Sequence, residues 1–135
     1  MIGEVSCMKK IYYPAVFHPE EEGGFSVLVP DIEGCFTQGE TIAEAVEMAQ
    51  DAIGLMLEDY SVWPEASSPA GIVCESGEFV VMVQFDALAY RRKHDNRAVK
   101  KTLTIPSWLN ELAIESNINF SGVLQDALKE KLGLA

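Results

Sequence analysis

The chain has 135 residues, 48 % of them hydrophobic, and carries 21 acidic against 10 basic side chains for a net charge of -11. That length admits one ordinary domain or two small ones. It contains no apolar run of about eighteen residues and no basic–apolar–small order at the start, so neither a membrane span nor a secretion signal is expected, and the cytoplasm is the expected location.

Met1 to Cys7 differs in character from the rest of the chain. It reads as a tag remnant or an early start, with Met8 an equal candidate for first residue. Lys10 to Phe17 is aromatic and β-branched, as strands are. Pro14 cannot donate to a ladder, which predicts an edge strand or a bulge. His18 to Gly24 is a turn by composition, and Phe25 to Val29 is the second strand of a hairpin. Pro30 to Gly34 breaks the chain again, Cys35 to Gln38 is a short third strand, and Gly39 turns. Thr41 and Glu44 have capping-box spacing. Ile42, Ala45, Val46, Ala49, Ala52, Ile53, Met56 and Leu57 then come at helical spacing, with Glu44, Glu47, Asp51 and Glu58 left for solvent. Gly54 costs that helix about 1 kcal/mol against alanine, and a close approach to the sheet is one reason for it. Ser61 to Gly77 reads as a long loop. Glu78 to Phe85 is so apolar that it predicts a central strand covered on both faces, or on one face by the helix. The order β-β-β-α-β predicts an α+β body over residues 8–90, and the polar run 91–98 reads as a linker.

Lys9-Lys10-Ile11-Tyr12-Tyr13-Pro14, then Gly24-Phe25, then Pro30-Asp31-Ile32-Glu33-Gly34-Cys35-Phe36-Thr37-Gln38-Gly39, then the capped helix from Thr41, resemble the HicB antitoxin family. The resemblance implies a partial, degraded RNase H-like fold that binds HicA, a small basic RNA-cleaving toxin. It also implies a C-terminal module of either helix-turn-helix or ribbon-helix-helix type.

Residues 99–135 resemble the second type. Lys100 to Ile105 reads as a short basic strand ended by Pro106. Alternation places Leu103 and Ile105 inward and Lys100, Thr102 and Thr104 outward. Ser107 is the expected cap of a helix burying Leu109, Leu112 and Ala113, and Asn117 is its expected left-handed stop. Asn119 is the expected cap of a second helix with Val123, Leu124, Ala127, Leu128 and Leu132 inward. About 35 residues cannot form an independent core, so a homodimer with paired strands is expected, the step to a tetramer being open. Leu103, Ile105, Trp108, Leu112, Val123, Leu124 and Leu128 are its candidate contacts.

The ribbon-helix-helix resemblance implies that Lys100, Thr102 and Thr104 enter the major groove of operator DNA. Lys101 and Arg97 are candidates for backbone contacts. The first turn from Asn119 through Phe120 and Ser121 offers N–H groups to a phosphate. Residues 1–90 hold two basic and sixteen acidic side chains, whereas residues 91–135 hold eight basic and five acidic. The acidic body suits a basic partner and the basic tail suits nucleic acid. Glu20, Glu21, Glu22, Asp31 and Glu33 are candidate toxin contacts, with Tyr60 and Trp63 as aromatic anchors.

Asp31, Glu33, Asp51 and Asp86 have the residue type for metal-dependent nuclease chemistry but nothing in the spacing converges them. His18 beside the acidic run reads as a loop residue. Cys7, Cys35 and Cys74 have no metal or dithiol spacing. The expectation is a non-enzymatic antitoxin without cofactor or metal that binds a HicA-like toxin and represses its own operon. The alternatives are a ligand-sensing ribbon-helix-helix regulator and, last, a nuclease.

Overall fold

The structure, a computed structural model, describes residues 9–134. Cys7 and Met8, and with them the alternative starts, lie outside the described residues. The chain divides after Arg97 into two units, each described by itself.

In the first unit, β1 (Lys10–Pro19) is buried from Tyr13 to Phe17, with Pro14 and Val16 on one face and Tyr13, Ala15 and Phe17 on the face towards the core. β2 (Phe25–Leu28) folds back on it through the glycine-rich turn, and β3 (Phe36–Gly39) pairs with β2. Helix α1 (Ile42–Leu57) lies over this face and buries Ala45, Ala49, Ile53 and Leu57. β4 (Phe79–Asp86) pairs with the other side of β1, giving an antiparallel sheet of order β3-β2-β1-β4. The expected β-β-β-α-β order is therefore observed. Thr41 Oγ1 caps α1 by accepting from the Glu44 N–H at 3.1 Å, and Glu44 Oε1 accepts in turn from the Glu40 N–H at 3.2 Å. Gly39 is required here: a Cβ would lie 2.5 Å from the Ala45 nitrogen.

β4 is an edge strand, not the central one its composition predicted. Its inner face, with Val83 and Phe85, meets α1, and Met82 on the other face is exposed. The outer sheet face is itself apolar, through Val16, Leu28, Phe36 and Met82, and that explains the unbroken apolar run.

Pro14 lies in β1, which has neighbours on both sides, and yet no bulge is needed. The Ala87 N–H donates to the Lys9 carbonyl at 3.0 Å, which fixes the odd-numbered residues of β1 as those bonded to β4. Even-numbered residues, Pro14 included, point their backbone groups towards β2. The β1–β2 ladder stops at Val16–Leu28, and the next rung would set Pro14 against Pro30, neither of which has an N–H.

A second helix, α2 (Ala87–His94), occupies the first half of the stretch that composition marked as linker. The Asp86 carboxylate caps it by accepting from the Ala89 N–H at 3.1 Å. α2 also gives the reason for Gly54. The close approach there is to the Tyr90 ring, whose Cε1 would sit 2.2 Å from a Cβ at position 54. Tyr90 belongs to an aromatic row, 5.5 Å from Phe85 and 4.2 Å from His94 between ring centroids. A second cluster, Phe17, Phe25 and Phe79, closes the far end of the core.

The second unit contains α3 (Ser107–Glu115) and α4 (Phe120–Leu132). Pro106 takes the cap position of α3, making Ser107 its first residue rather than its cap. Asn117 is left-handed at φ 55°, as expected of a helix stop. Asn119 caps α4, and Gly133 ends it at φ 73°. Residues 99–105 form no strand in the single chain. A ribbon needs a second strand for its N–H and C=O groups, and one chain supplies none.

Candidate partner and nucleic-acid surfaces

The carboxylates of the first unit serve separate structural roles. Asp31, in the β2–β3 connection, accepts from the Ser67 N–H at 2.9 Å and from the Ser67 hydroxyl. Together with the Tyr13 hydroxyl, which donates to the Pro64 carbonyl at 2.7 Å, it ties down the long 58–78 connection. Asp51, on α1, accepts from Lys93 Nζ at 3.1 Å and lies 3.3 Å from His94 Nε2, clasping α1 to α2. Burial alone would raise the Asp51 carboxyl, but the hydrogen bonds from Lys93 and His94 outweigh it and hold the group below its ordinary value. Asp86 caps α2. Glu33 is exposed. The four carboxylates considered for nuclease chemistry are thus tied to different partners or left in solvent, and among the described residues no group of three or more His, Cys, Asp or Glu is arranged to hold a metal.

Glu20, Glu21 and Glu22 are exposed together on the β1–β2 turn, where Glu20 accepts from the Ser26 hydroxyl. Beside them His18 Nδ1 lies 3.0 Å from Glu78 Oε2. These residues border the outer sheet face, where a groove of about 690 Å³ runs between Leu28, Phe36 and Ile72. Tyr60 and Trp63 are half-buried and packed against the core. Trp63 meets Phe85 edge-on at 5.5 Å, and the Lys9 ammonium sits 5.0 Å from its ring centroid. A cleft of about 780 Å³ opens beside it, lined by Gly54, Trp63, Phe85, Tyr90 and His94.

Sequence reasoning missed α2 and its clasp. The signal was there: Asp86 followed by Ala87-Leu88-Ala89-Tyr90 is a cap before good helix formers. With α2 in the first unit, Arg91, Arg92, Lys93 and Arg97 leave the supposed basic tail. Residues 98–135 hold four basic and four acidic side chains, so the tail is neutral as a whole. Arg97 is already engaged, its Nε and Nη2 each 2.9 Å from an Asp95 oxygen. That pair holds the Asp95 carboxyl well below the usual carboxylate range.

In the second unit Lys100, Lys101, Thr102 and Thr104 are all exposed. The Asn119 side chain accepts from the Gly122 N–H at 3.1 Å, and Ser121 Oγ accepts from Gln125 at 3.0 Å. The Phe120 and Ser121 N–H groups at the start of α4 have no partner among the described residues. No described residue of this unit is buried. Leu103 at 61 %, Trp108 at 63 %, Leu112 at 54 %, Val123 at 55 % and Leu128 at 51 % are exposed, Ile105 is too, and Leu124 is half-buried. A 38-residue unit that leaves this much apolar surface uncovered has no core of its own.

Comparison with known proteins decides the family. The model of the HicB-like antitoxin of bacterial toxin–antitoxin systems matches residues 13–127. The chain belongs to the HicB-like antitoxin family. A HicB antitoxin (HicB 1) of Photorhabdus laumondii is 47 % identical over 53 residues, and the HicB antitoxin of Escherichia coli K12 is 51 % identical over 41 residues. These matches cover 39 % and 30 % of this chain, and the chain spans only about a third of the length of those relatives, 34 % and 30 %. A solved structure of a toxin–antitoxin complex from Streptococcus pneumoniae superposes with a TM-score of 0.55 at 29 % identity, covering 91 % of this chain and 99 % of that one. This HicB-like chain is mixed α+β, with a four-stranded antiparallel sheet and four α-helices among the described residues. None of those helices is long and apolar enough to cross a membrane.

Proposed function

We propose that this HicB-like chain neutralises a small, basic, HicA-like mRNA-cleaving toxin through its first unit and represses its own operon in the cytoplasm through the second. The first unit is read as a partial RNase H-like fold without catalysis, the second as a ribbon-helix-helix dimer on operator DNA. The observation that carries the reading is the wholly unburied second unit. Its apolar positions, its two helices and its unpaired segment 99–105 suit a second copy that supplies the missing strand and covers Leu103, Trp108, Leu112 and Val123. Pairing two strands would present Lys100, Thr102 and Thr104 on a ribbon of the width the major groove accepts.

The toxin half is supported by charge. A protein that holds RNA must be positive where it does so, and an acidic surface covers such a patch in competition with substrate. Glu20, Glu21 and Glu22 stand out from the β1–β2 turn, whereas Asp31 is occupied by Ser67. The test is growth of cells expressing a small basic HicA-like toxin, alone, with the full chain, and with a fragment ending at Arg97, whose core is complete within itself. Rescue by both forms is expected. Toxicity that neither form relieves refutes the toxin half, and the cleft beside Trp63 would then favour a small-molecule-sensing regulator.

A further inference from the structure

The end of α2 and the residues just after it form the one strongly positive stretch of the chain. Residues 91–97 hold four basic side chains and one acidic, between a body with two basic and sixteen acidic and a C-terminal unit with four of each. The stretch is built as an anion site, and it already holds an anion. The Arg97 guanidinium takes both oxygens of Asp95, from Nε and Nη2 at 2.9 Å each, its backbone N–H donates to the same carboxylate at 3.2 Å, and Arg91 Nη2 lies 3.5 Å away. A phosphate is met by the arginine fork in the same two-point fashion. The helix does not explain the acid, because Asp95 follows the last turn of α2, where the negative end of the dipole disfavours an anion. The arginines hold it there. Their side chains remain open to solvent, Arg91 at 59 % and Arg97 at 83 %. Arg92 is exposed and has no acidic partner among the described residues, whereas Lys93 is engaged by Asp51.

We propose that Arg91, Arg92 and Arg97 grip the phosphate backbone of duplex DNA, and that Asp95 holds the place of a phosphate until DNA displaces it. This contact rests on the operator-binding reading of the second unit and lies outside the groove that its ribbon enters. A basic toxin is repelled by the same stretch, which leaves a polyanion as the partner its charge fits. The covalent chain brings the two contacts onto one duplex. Lys100 follows Arg97 by three residues, at most about 11 Å of extended backbone. With Lys100 at the groove, Arg97 reaches the phosphates that border it. In an antiparallel pair of strands the two copies of Lys100 fall at opposite ends, so each flank of the ribbon receives one such grip. A surface ion pair is weak and screened, so Asp95 is an occupant that a phosphate can replace. Asp95 therefore acts as an attenuator, keeping α2 off nucleic acid that the second unit has not brought close.

The test is binding of the full chain to a mixed-sequence duplex of about 40 base pairs, followed by fluorescence anisotropy between about 50 and 200 mM salt. Phosphate contacts carry no sequence information, so such a duplex reads them. Asp95→Asn is expected to tighten binding by about threefold or more and to steepen the dependence of log K on log salt, by about one for each phosphate gained. A misfolded variant does not deliver a gain of that kind. Arg92→Ala is expected to weaken binding and to lower the slope by about one per copy. In a chain carrying Arg91→Ala and Arg97→Ala, Asp95→Asn is expected to gain little, which separates release of the fork from the mere loss of a negative charge. Unchanged or weaker binding by Asp95→Asn, an equal gain in both backgrounds, or tighter binding to single-stranded RNA of the same length overturns the proposal while leaving operator binding by the unaltered chain intact. If neither the unaltered chain nor Asp95→Asn binds the duplex, the operator reading falls together with it.

Discussion

Replacing Gly54 by alanine tests the packing of α2 on α1. Position 54 is inside a helix, where alanine is favoured over glycine by about 1 kcal/mol. By helix propensity alone, Gly54→Ala should stabilise. The structure reverses the sign. The new Cβ would lie 2.2, 2.4 and 2.6 Å from three atoms of the Tyr90 ring, against an ordinary contact of about 3.5–4.0 Å. Tyr90 cannot swing aside freely, because Phe85 and His94 stack on it and α2 is clasped to α1 through Asp51. Overpacking of this kind costs about 1–3 kcal/mol, so a net loss of about 1 kcal/mol is expected. For a unit of this size that is roughly 4–8 °C in Tm. The measurement is urea denaturation of the full chain followed by circular dichroism, for Gly54→Ala, Tyr90→Ala and the double variant. With Tyr90 removed, Gly54→Ala should become stabilising by about 1 kcal/mol, giving a coupling near 2 kcal/mol. A stabilising Gly54→Ala in the unaltered chain, or the same sign with and without Tyr90, would refute the reasoning.

Asp51→Asn is expected to lower stability near neutral pH and to have little effect in acid. The lowered carboxyl gives stability above its unfolded value of about 3.9 and loses it as pH falls, which urea midpoints across that range will show. Burial, with Asp31 and Tyr60 nearby, pushes the Tyr13 phenol up to about 12, so its neutral form supports the fold below about pH 10 and that support drains away as pH climbs to 12. Tyr13→Phe should therefore cost about 1 kcal/mol at pH 7, through the lost bond to Pro64, and become the more stable form near pH 12, as urea midpoints at the two pH values will show. In operator binding, Thr102→Ala with Thr104→Ala should reduce discrimination between sequences, and Lys100→Ala should lower the salt slope by about one; gel-shift titrations at several salt concentrations measure both. Changing Glu20, Glu21 and Glu22 to lysine should slow association with a basic toxin about tenfold or more at low salt, as stopped-flow mixing would reveal.

The parts of the fold that a sequence can announce are those governed by local rules. The aromatic and β-branched run Lys10 to Phe17 and the Thr41–Glu44 cap each depend on neighbours a few residues away, and each is observed; so is the helical stripe through Leu57, except for its first member, Ile42, which is exposed. The position of β4 depends on which strand lies beside it, and an apolar outer face hides that from composition. α2 was concealed because Arg91 to His94 lie largely in solvent and only Ala87 and Tyr90 face inward strongly enough to mark a helix. Asp31 and Asp51 looked like free acids because their partners, Ser67 and Lys93, lie 36 and 42 residues away. For the DNA ribbon the limit is physical: on the proposed reading, residues 99–105 contain half of a structure whose other half belongs to a second molecule.

The facing prolines at the end of the β1–β2 ladder act on how the hairpin is assembled as well as on its final form. A hairpin that closes one residue out of step turns Val27 to the wrong face and is rejected by the core. A slip of two residues keeps every side chain on its proper face, so the core would not detect it. Sliding β2 two places towards Pro14 would bring Leu28 opposite a ring that has no proton to give, and leave the Leu28 carbonyl wanting a donor at a cost of about 1–3 kcal/mol. Pro14 therefore works as an end-stop against a slip in that direction, a misalignment that hydrophobic patterning cannot see.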